Sequence, residues 1–168
     1  MKKVIRLINE NKELFCSSDS NLLVQKSYEQ EIANLFSGKR VNGPFHDIEM
    51  PYSASGQSKT LEIELKKGCS FWVNEIKLAK MLLDGNLDVV FIFFQLGMKK
   101  KKKYLKKIYI LKSVEKLLDV FKITKEHAKY IVSRQKKMKK NLCYQQGLTG
   151  GDLSEIADYT IDMCAVEE

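Results

Sequence analysis

The sequence predicts an α/β fold in which a small central mixed β-sheet is flanked by helices. The strongest observation is the run LDVVFIFF at 87–94, a continuous apolar, aromatic and β-branched pattern that is typical of a buried central strand. The segment TLEIEL at 60–65 alternates apolar and polar residues, as a strand with one covered face does. Apolar residues recur at helical spacing in 22–36 and 124–141, which predicts helices around these strands.

The remaining elements follow from the same two periodicities and from turn residues. Helices are predicted over 1–15, 22–36, 71–85, 113–121, 124–141 and 153–163. Strands are predicted at 46–50, 60–65, 87–94 and 106–111. Ser113 and Thr124 are the predicted caps of the two helices that follow them. The segment PYSASGQS at 51–58 is predicted to be a turn or a flexible loop, and the strands on either side of it are predicted to pair as a hairpin-like unit. The segment MKKKKKYLKK at 98–107 is predicted to be an exposed loop.

The length and composition fit one domain. A chain of 168 residues with 44% hydrophobic residues can build a single core. Within it we distinguish a core at 22–112 from a remainder at 113–168, which holds a basic helix and an acidic C-terminal helical segment. Four cysteines without a CxxC pair, together with only two histidines, argue against a structural zinc site.

The charge balance points to a polyanionic partner. The net charge is +8, from 29 Lys and Arg against 21 Asp and Glu, and such an excess favours binding to nucleic acid. A lysine-rich genome composition is the alternative explanation. Residues 1–25 lack a sustained apolar segment, and the run at 87–96 is too short to cross a bilayer. We therefore expect a cytoplasmic, nucleoid-associated protein or a nuclear one, neither secreted nor bound to a membrane.

One face of the strand at 60–65 carries charges that suit a phosphodiesterase. Because strand side chains alternate, Glu64 and Lys66 share a face, and Asp47 opens the preceding predicted strand. Carboxylate oxygens are the ligands that Mg²⁺ prefers. A lysine beside them can orient the attacking water and offset charge that develops on the phosphate. The alternative is a solvated strand face on which the lysine only pairs with a glutamate.

This pattern resembles the PD-(D/E)XK nuclease superfamily, the fold of many restriction enzymes and junction resolvases. The matching residues are Asp47, Glu64 and Lys66, with Glu31 on the preceding helix at the position of the acidic helix residue in many members. The resemblance covers roughly 22–112. It implies a restriction-endonuclease-like fold, with Asp47, Glu64 and Glu31 as ligands of Mg²⁺, or of Mn²⁺ as the alternative metal. It also implies a homodimer that cleaves duplex or branched DNA.

The sequence departs from the family pattern in two ways. The residue before Asp47 is His46 rather than proline. Glu49 and Glu62 share the charged strand faces, so either could replace a proposed metal ligand.

Two basic segments are candidate nucleic-acid contacts. The first is the lysine run of the predicted loop, Lys99, Lys100, Lys101, Lys102 and Lys103, whose charges can neutralise phosphates without reading sequence. Protection of a sheet edge is its alternative role. The second is the end of the helix at 124–141, with Arg134, Lys136 and Lys137. The helix dipole explains some of these cations, but not all of them.

Together these observations predict a Mg²⁺-dependent DNA endonuclease. Two rival functions stay open. One is a nuclease of the same fold that acts on RNA, and the other is a basic nucleic-acid-binding protein without catalysis.

Overall fold

The computed structural model describes residues 1–16, 27–99, 102–138 and 144–163. Its helices are α1 Lys2–Glu10, α2 Lys12–Cys16, α3 Tyr28–Leu35, α4 Glu75–Asp84, α5 Glu115–Val120, α6 Lys125–Lys137 and α7 Gly150–Ile156. Its strands are β1 Lys39–Arg40, β2 Ile48–Ala54, β3 Gln57–Gly68, β4 Phe71–Asn74, β5 Val90–Lys99, β6 Lys102–Leu111, β7 Gln145–Leu148 and β8 Tyr159–Asp162.

The described strands form one large mixed sheet and one small ribbon. The large sheet has the order β1-β2-β3-β5-β6-β8, and β4 pairs with β7 in the ribbon. Strands β3 and β5 run parallel, while every other neighbouring pair in the large sheet is antiparallel. The predicted α/β class with a central mixed sheet and flanking helices is therefore confirmed.

Each face of the large sheet carries its own core because apolar side chains alternate along the central strands. Ile92 and Phe94 of β5 face one cluster with α1, α2 and α3, whereas Phe91 and Phe93 face a second cluster with α4 to α7. This double burial explains why the predicted strand at 87–94 is apolar without interruption.

The connection between β2 and β3 is tighter than predicted. Both strands continue through most of 51–58, and they are joined by Ser55 and Gly56, whose φ angles are 52° and 77°. Positive φ at both central residues is the backbone of a two-residue hairpin turn, which glycine adopts without steric cost. The predicted hairpin-like pairing of the two strands is confirmed. A flexible loop over all of 51–58 was wrong, since most of these residues make the backbone hydrogen bonds of the hairpin.

The helix predicted at 71–85 is a strand followed by a helix. Phe71–Asn74 forms β4, and Asn74 caps α4 by accepting a hydrogen bond from the Lys77 backbone N–H at 3.1 Å. The aromatic and β-branched residues of β4 suit a strand, and asparagine is a favoured N-cap. At the other end, Gly85 adopts the left-handed conformation at φ 71° and closes the helix.

The described part of the lysine-rich segment, 98–99 and 102–107, forms paired strands rather than the predicted loop. Strands β5 and β6 stay paired as far as Lys99 and Lys102, and Leu105 is buried in the first core. Lysine is depleted in strands, but here the ladder between β5 and β6 and the burial of Leu105 outweigh that preference.

The C-terminal segment is not the single helix predicted at 153–163. Helix α7 begins earlier, with Thr149 and Asp152 forming a capping box, and ends at Ile156. Residues Tyr159–Asp162 then form β8, which pairs antiparallel with β6 and covers that edge of the large sheet. Thus Tyr159–Asp162 of the acidic tail belongs to the same sheet as the core strands.

Of the two N-caps predicted for α5 and α6, one is confirmed. The cap of α6 at Thr124 is confirmed, because its side chain accepts from the His127 backbone N–H. The cap predicted at Ser113 was wrong, since Val114 precedes α5 and makes no side-chain cap hydrogen bond. Within the described ranges, no helix is long and apolar enough to cross a membrane.

The edge strand β8 can be tested by removing its buried side chain. Ile161 is 7% exposed and lies opposite Ile108. We expect Ile161→Ala to lower the free energy of unfolding by about 2–4 kcal/mol, because it deletes buried methyl groups from the first core. Chemical denaturation measures this, with exposed Thr160→Ala on the same strand as the control. Equal stability of the two variants would contradict the burial of β8.

Candidate active site

The site is built where β2 and β3 lie side by side. Ile48 pairs with Ile63 in the antiparallel register, and the Asp47 backbone N–H donates to the Ile63 carbonyl at 2.9 Å. The Leu65 backbone N–H donates to Asp47 Oδ2 at 2.7 Å. These two hydrogen bonds fix Asp47 beside Glu64, so the hairpin register brings together two residues that are far apart in sequence.

Glu64 is a buried carboxylate held by two lysines. It is only 1% exposed, and its Oε1 atom accepts from Lys66 Nζ at 2.5 Å and lies 2.6 Å from Lys77 Nζ. Lys66 belongs to β3, whereas Lys77 projects from α4. The second oxygen, Oε2, is buried and has no hydrogen-bond partner among the described residues. One oxygen is therefore satisfied by two cations and the other is left without a donor.

The pKa of Asp47 is raised by burial and by the charge of Glu64. Burial raises the pKa of Asp47 to about 6, and the neighbouring Glu64 carboxylate adds to the rise, while the Leu65 N–H and Lys66 partly offset it. Two carboxylates that crowd one another in this way resist simultaneous ionisation. A cation placed between them would remove that cost, so the pair has the electrostatic character of a metal site.

Helix α3 contributes an aromatic residue to the same region. Tyr28 lies under the ammonium of Lys67, whose Nζ is 3.8 Å from the ring centroid. Burial raises the pKa of the Tyr28 hydroxyl, and the charges of Glu29, Asp47 and Glu64 raise it further. Tyr28 is therefore a neutral hydrogen-bond donor at neutral pH, close enough to both carboxylates to sense their charge.

The acidic residue of α3 whose charge raises the pKa of Asp47 is Glu29, whereas the resemblance assigned the acidic position of this helix to Glu31. Among the charges that shift Asp47 is that of Glu29, which also forms an ion pair with Arg40 at 2.9 Å. Residues two apart on a helix point to different sides, so Glu29 and Glu31 cannot occupy the same position. Glu31 lies half-buried in the first turn of α3.

A second polar cluster lies next to the first. His46 is buried, with Nε2 3.3 Å from Glu49 Oε1 and Nδ1 3.2 Å from Glu62 Oε2, although the latter pair is not aligned for a hydrogen bond. Asn86 also donates to Glu62 Oε2 at 3.1 Å. The two glutamates left open as alternative ligands thus bind His46 and Asn86, while Glu64 stays with the lysines. Strand alternation does not determine the direction of the His46 ring, because β2 begins only at Ile48.

Another buried carboxylate provides a useful contrast. Glu75, 6% exposed, accepts from Gln146 Nε2 at 2.9 Å through one oxygen, and its other oxygen lies 2.5 Å from His127 Nε2. Both oxygens are satisfied, and the contacts tie α4 to α6 and β7. We interpret Glu75 as a structural residue, in contrast to Glu64 with its unsatisfied oxygen.

The predicted lysine contacts lie on the β5–β6 hairpin. Lys103 is exposed, Lys99 is half-buried and Lys102 begins β6, while Lys100 and Lys101 lie outside the described residues. Since β5 continues beyond the pair Gly68 and Gln95, the hairpin projects past the end of β3 that carries Lys66.

The basic helix presents its cations at its far end. Arg134, Lys136 and Lys137 are exposed in the last turn of α6, and the segment 139–143 that follows lies outside the described residues. Arg134 donates to the Tyr130 hydroxyl at 3.4 Å.

Three residues of the site were not predicted from the sequence: Tyr28, Glu29 and Lys77. Lys77 had the clearest signal, since it lies in the first turn of the helix that follows the Glu-x-Lys strand.

Comparisons of the chain with protein-family models, curated proteins and solved structures give no match. In the described ranges, no three His, Cys, Asp or Glu side chains form a group that could hold a metal ion.

The raised pKa of Asp47 predicts a stability that depends on pH. In chelator, the folded chain holds the Asp47 proton more tightly than the unfolded chain, so the wild type loses stability as pH rises from about 4 to about 6. Asp47→Asn cannot ionise and keeps an acceptor for the Leu65 N–H. We expect this variant to be more stable than the wild type at about pH 8, by about 1 kcal/mol after allowance for solvent screening, and equal to it near pH 4.

Thermal or chemical unfolding at several pH values measures this difference. Asp88→Asn, which removes an exposed carboxyl before β5, is the matched control. A constant difference between Asp47→Asn and the wild type across the pH range would contradict the repulsion between Asp47 and Glu64.

Proposed function

We propose that this protein is a metal-dependent endonuclease that hydrolyses phosphodiester bonds in DNA and has a restriction-endonuclease-like fold. The observation that carries the proposal is the convergence of Asp47, Glu64 and Lys66, with the buried Glu64 Oε2 left without a partner among the described residues. The arrangement of α3, the β2–β3 hairpin, α4 and a parallel β5 also supports it, since it matches the element order that the resemblance implies.

The two carboxylates fit a hard divalent cation. Glu64 Oε2 offers an unused buried acceptor, and burial together with the neighbouring Glu64 charge raises the pKa of Asp47. Mg²⁺ is commonly held by one or two protein carboxylates, with waters and substrate phosphate completing its shell. Asp47 and Glu64 would hold the ion, with Mn²⁺ as the alternative, and the ion would supply positive charge and an activated water at the phosphate. Glu31 is not needed for this arrangement.

Lys66 acts on the reacting atoms in this proposal. Its ammonium lies at Glu64, on the strand face that Asp47 also borders. From there its N–H groups orient the attacking water and offset the negative charge that develops on the phosphate oxygens in the transition state. Lys77 shares the charge of Glu64, so Lys66 can turn toward a substrate without leaving a buried carboxylate uncompensated.

The proposal is tested by separating cleavage from binding. We expect Lys66→Met to lower the rate of Mg²⁺-dependent DNA cleavage at least ~100-fold, the scale for loss of a group that orients or protonates in the transition state. DNA affinity measured in chelator should change little, because most of the binding charge lies on other lysines. Lys59→Met, an exposed lysine of the same strand, is the control.

Duplex, branched DNA and RNA substrates should be compared in the same assay. Binding of DNA without metal-dependent cleavage of any substrate would overturn the proposal and favour a non-catalytic binding protein. Cleavage of RNA but not of DNA would support the proposed phosphodiester hydrolysis and change the proposed substrate from DNA to RNA.

A second, independent prediction concerns Lys77. Its ammonium partly neutralises Glu64 and therefore opposes the binding of a cation there. We expect Lys77→Met to be less stable than the wild type in chelator, because the buried Glu64 loses one of its partners, and to bind Mg²⁺ several-fold more tightly than the wild type. The rise in unfolding temperature on adding Mg²⁺ measures this difference. Lys80→Met, on the same helix, is the control. Equal Mg²⁺-induced shifts in Lys77→Met and the wild type would mean that no cation binds at Glu64.

A further inference from the structure

The last residues of β3 direct charged side chains to both faces of the large sheet. Ile63 and Leu65 belong to the first core, so Lys67, two residues further along the strand, continues that face. Glu64 and Lys66 point to the opposite face, toward α4. Lys66 and Lys67 are therefore adjacent cations that project from opposite faces of the sheet at the candidate active site.

The two faces meet along an open edge of β3. Within the described part of the sheet, the pairing of β2 with β3 ends at Ile48 and Ile63. Beyond that pair, the Leu65 backbone N–H donates to the Asp47 side chain rather than to a strand. From Lys66 onward no described strand pairs with this side of β3, so no further strand separates the two faces there.

Tyr28 connects Lys67 with the carboxylate pair across this edge. Its ring packs against the first core, and the Lys67 Nζ atom is 3.8 Å from the ring centroid. Burial raises the pKa of the Tyr28 hydroxyl, and the charges of Glu29, Asp47 and Glu64 raise it further. One aromatic ring therefore contacts the lysine on the first-core face and senses the carboxylates of the candidate site.

The fold fixes the position of Tyr28. Arg40 binds Glu29 Oε2 through both Nε and Nη2, each at 2.9 Å, and Arg40 is paired with Ile48 at the start of β2. The first turn of α3 is thereby held beside Asp47. Because an ammonium is attracted to the face of an aromatic ring, Tyr28 restrains the otherwise flexible lysine side chain above it.

A second lysine lies on the same face of the sheet as Lys67. Lys103 is exposed and comes two residues before Leu105, which is buried in the first core. Burial lowers the pKa of the Lys67 ammonium, the charge of Glu29 opposes this shift, and the charge of Lys103 adds to it. An anion beside Lys67 would offset both its burial and its repulsion by Lys103. A backbone phosphate is such an anion, and lysine is one of its usual partners.

We propose that Lys67 binds the phosphate next to the scissile one, because the cleaved DNA strand crosses the open edge of β3. The scissile phosphate then lies on the face of Glu64 and Lys66, and its neighbour lies at Lys67 on the other face. Such a contact positions the strand without reading its sequence. The inference rests on the proposed nuclease function and assigns a role to a lysine outside the Glu-x-Lys pattern.

The salt dependence of DNA binding tests this contact without catalysis. In chelator, Lys67→Met should weaken binding of duplex DNA several-fold and lower the slope of log affinity against log salt concentration by about 0.9, the contribution of one phosphate. Lys67→Arg keeps the charge and should keep the slope. Lys59→Met is the matched control, since this exposed lysine lies on the same face of β3, about 26 Å away at ~3.3 Å per residue. Equal slopes for Lys67→Met and the wild type, or an equal fall in Lys59→Met, would overturn the inference.

A neutral linkage locates the phosphate that Lys67 contacts. Once the cut position is mapped, a methylphosphonate is placed at the linkage on either side of it. At one of these two positions the wild type should show a KM raised several-fold and a kcat nearly unchanged. Lys67→Met should show no further rise at that position, because both changes remove the same contact. Additive effects of the two changes at both positions would contradict the assignment.

The two proposals can fail separately. Metal-dependent cleavage with an unchanged salt slope in Lys67→Met removes the role of Lys67 and leaves the nuclease function. A slope lowered in Lys67→Met alone, without metal-dependent cleavage of any substrate, overturns the nuclease function, while the contact of Lys67 with a phosphate stands. Absence of DNA binding overturns both.

Discussion

The buried charge of Glu64 is the constraint on which the rest of the site depends. A carboxylate that is 1% exposed must be compensated, because an isolated ion in the protein interior is very costly. Compensation comes from Lys66 in the same strand and from Lys77 in α4, so the charge ties the strand to the helix that follows it. Burial raises the pKa of Asp47, and the same charge raises it further, which is the electrostatic basis of the proposed cation site.

Much of the site could be predicted because strand periodicity is simple. Alternation alone placed Glu64 and Lys66 on one face, and the short distance along the chain made Asp47 a neighbour. The residues contributed by helices were harder to predict. Both Glu29 and Glu31 lie in the first turn of α3, and only the position of α3 against the sheet determines which of the two charges acts on Asp47. Lys77 had a signal in its place in the first turn of the helix after the Glu-x-Lys strand, but its ion pair with Glu64 depends on where α4 packs, which the sequence does not show.

The errors in the fold share a physical cause. Residues 98–99 and 102–107 are rich in lysine, which has poor strand propensity, but they pair with each other as the ends of β5 and β6. Residues 159–162 continue a helix-like pattern, but they pair with β6 as β8. Strand preference depends strongly on the partner strand and on burial, and neither is visible in a local window. The helix predicted from 71 began too early for a related reason, because Asn74 separates two elements that both carry apolar residues.

In the proposed function, the parallel pairing of β3 and β5 determines where positive charge lies relative to the two carboxylates. Parallel strands end at the same edge, so the lysine hairpin that extends β5 stands beyond the end of β3. At that edge the charges of Asp47 and Glu64 are matched by Lys66 and Lys77, and Lys67 and Lys103 add further positive charge. An antiparallel β5 would instead place this hairpin at the opposite edge of the sheet, away from the end of β3 that carries Lys66, so the parallel pairing brings the lysine hairpin to the edge where the proposed site lies.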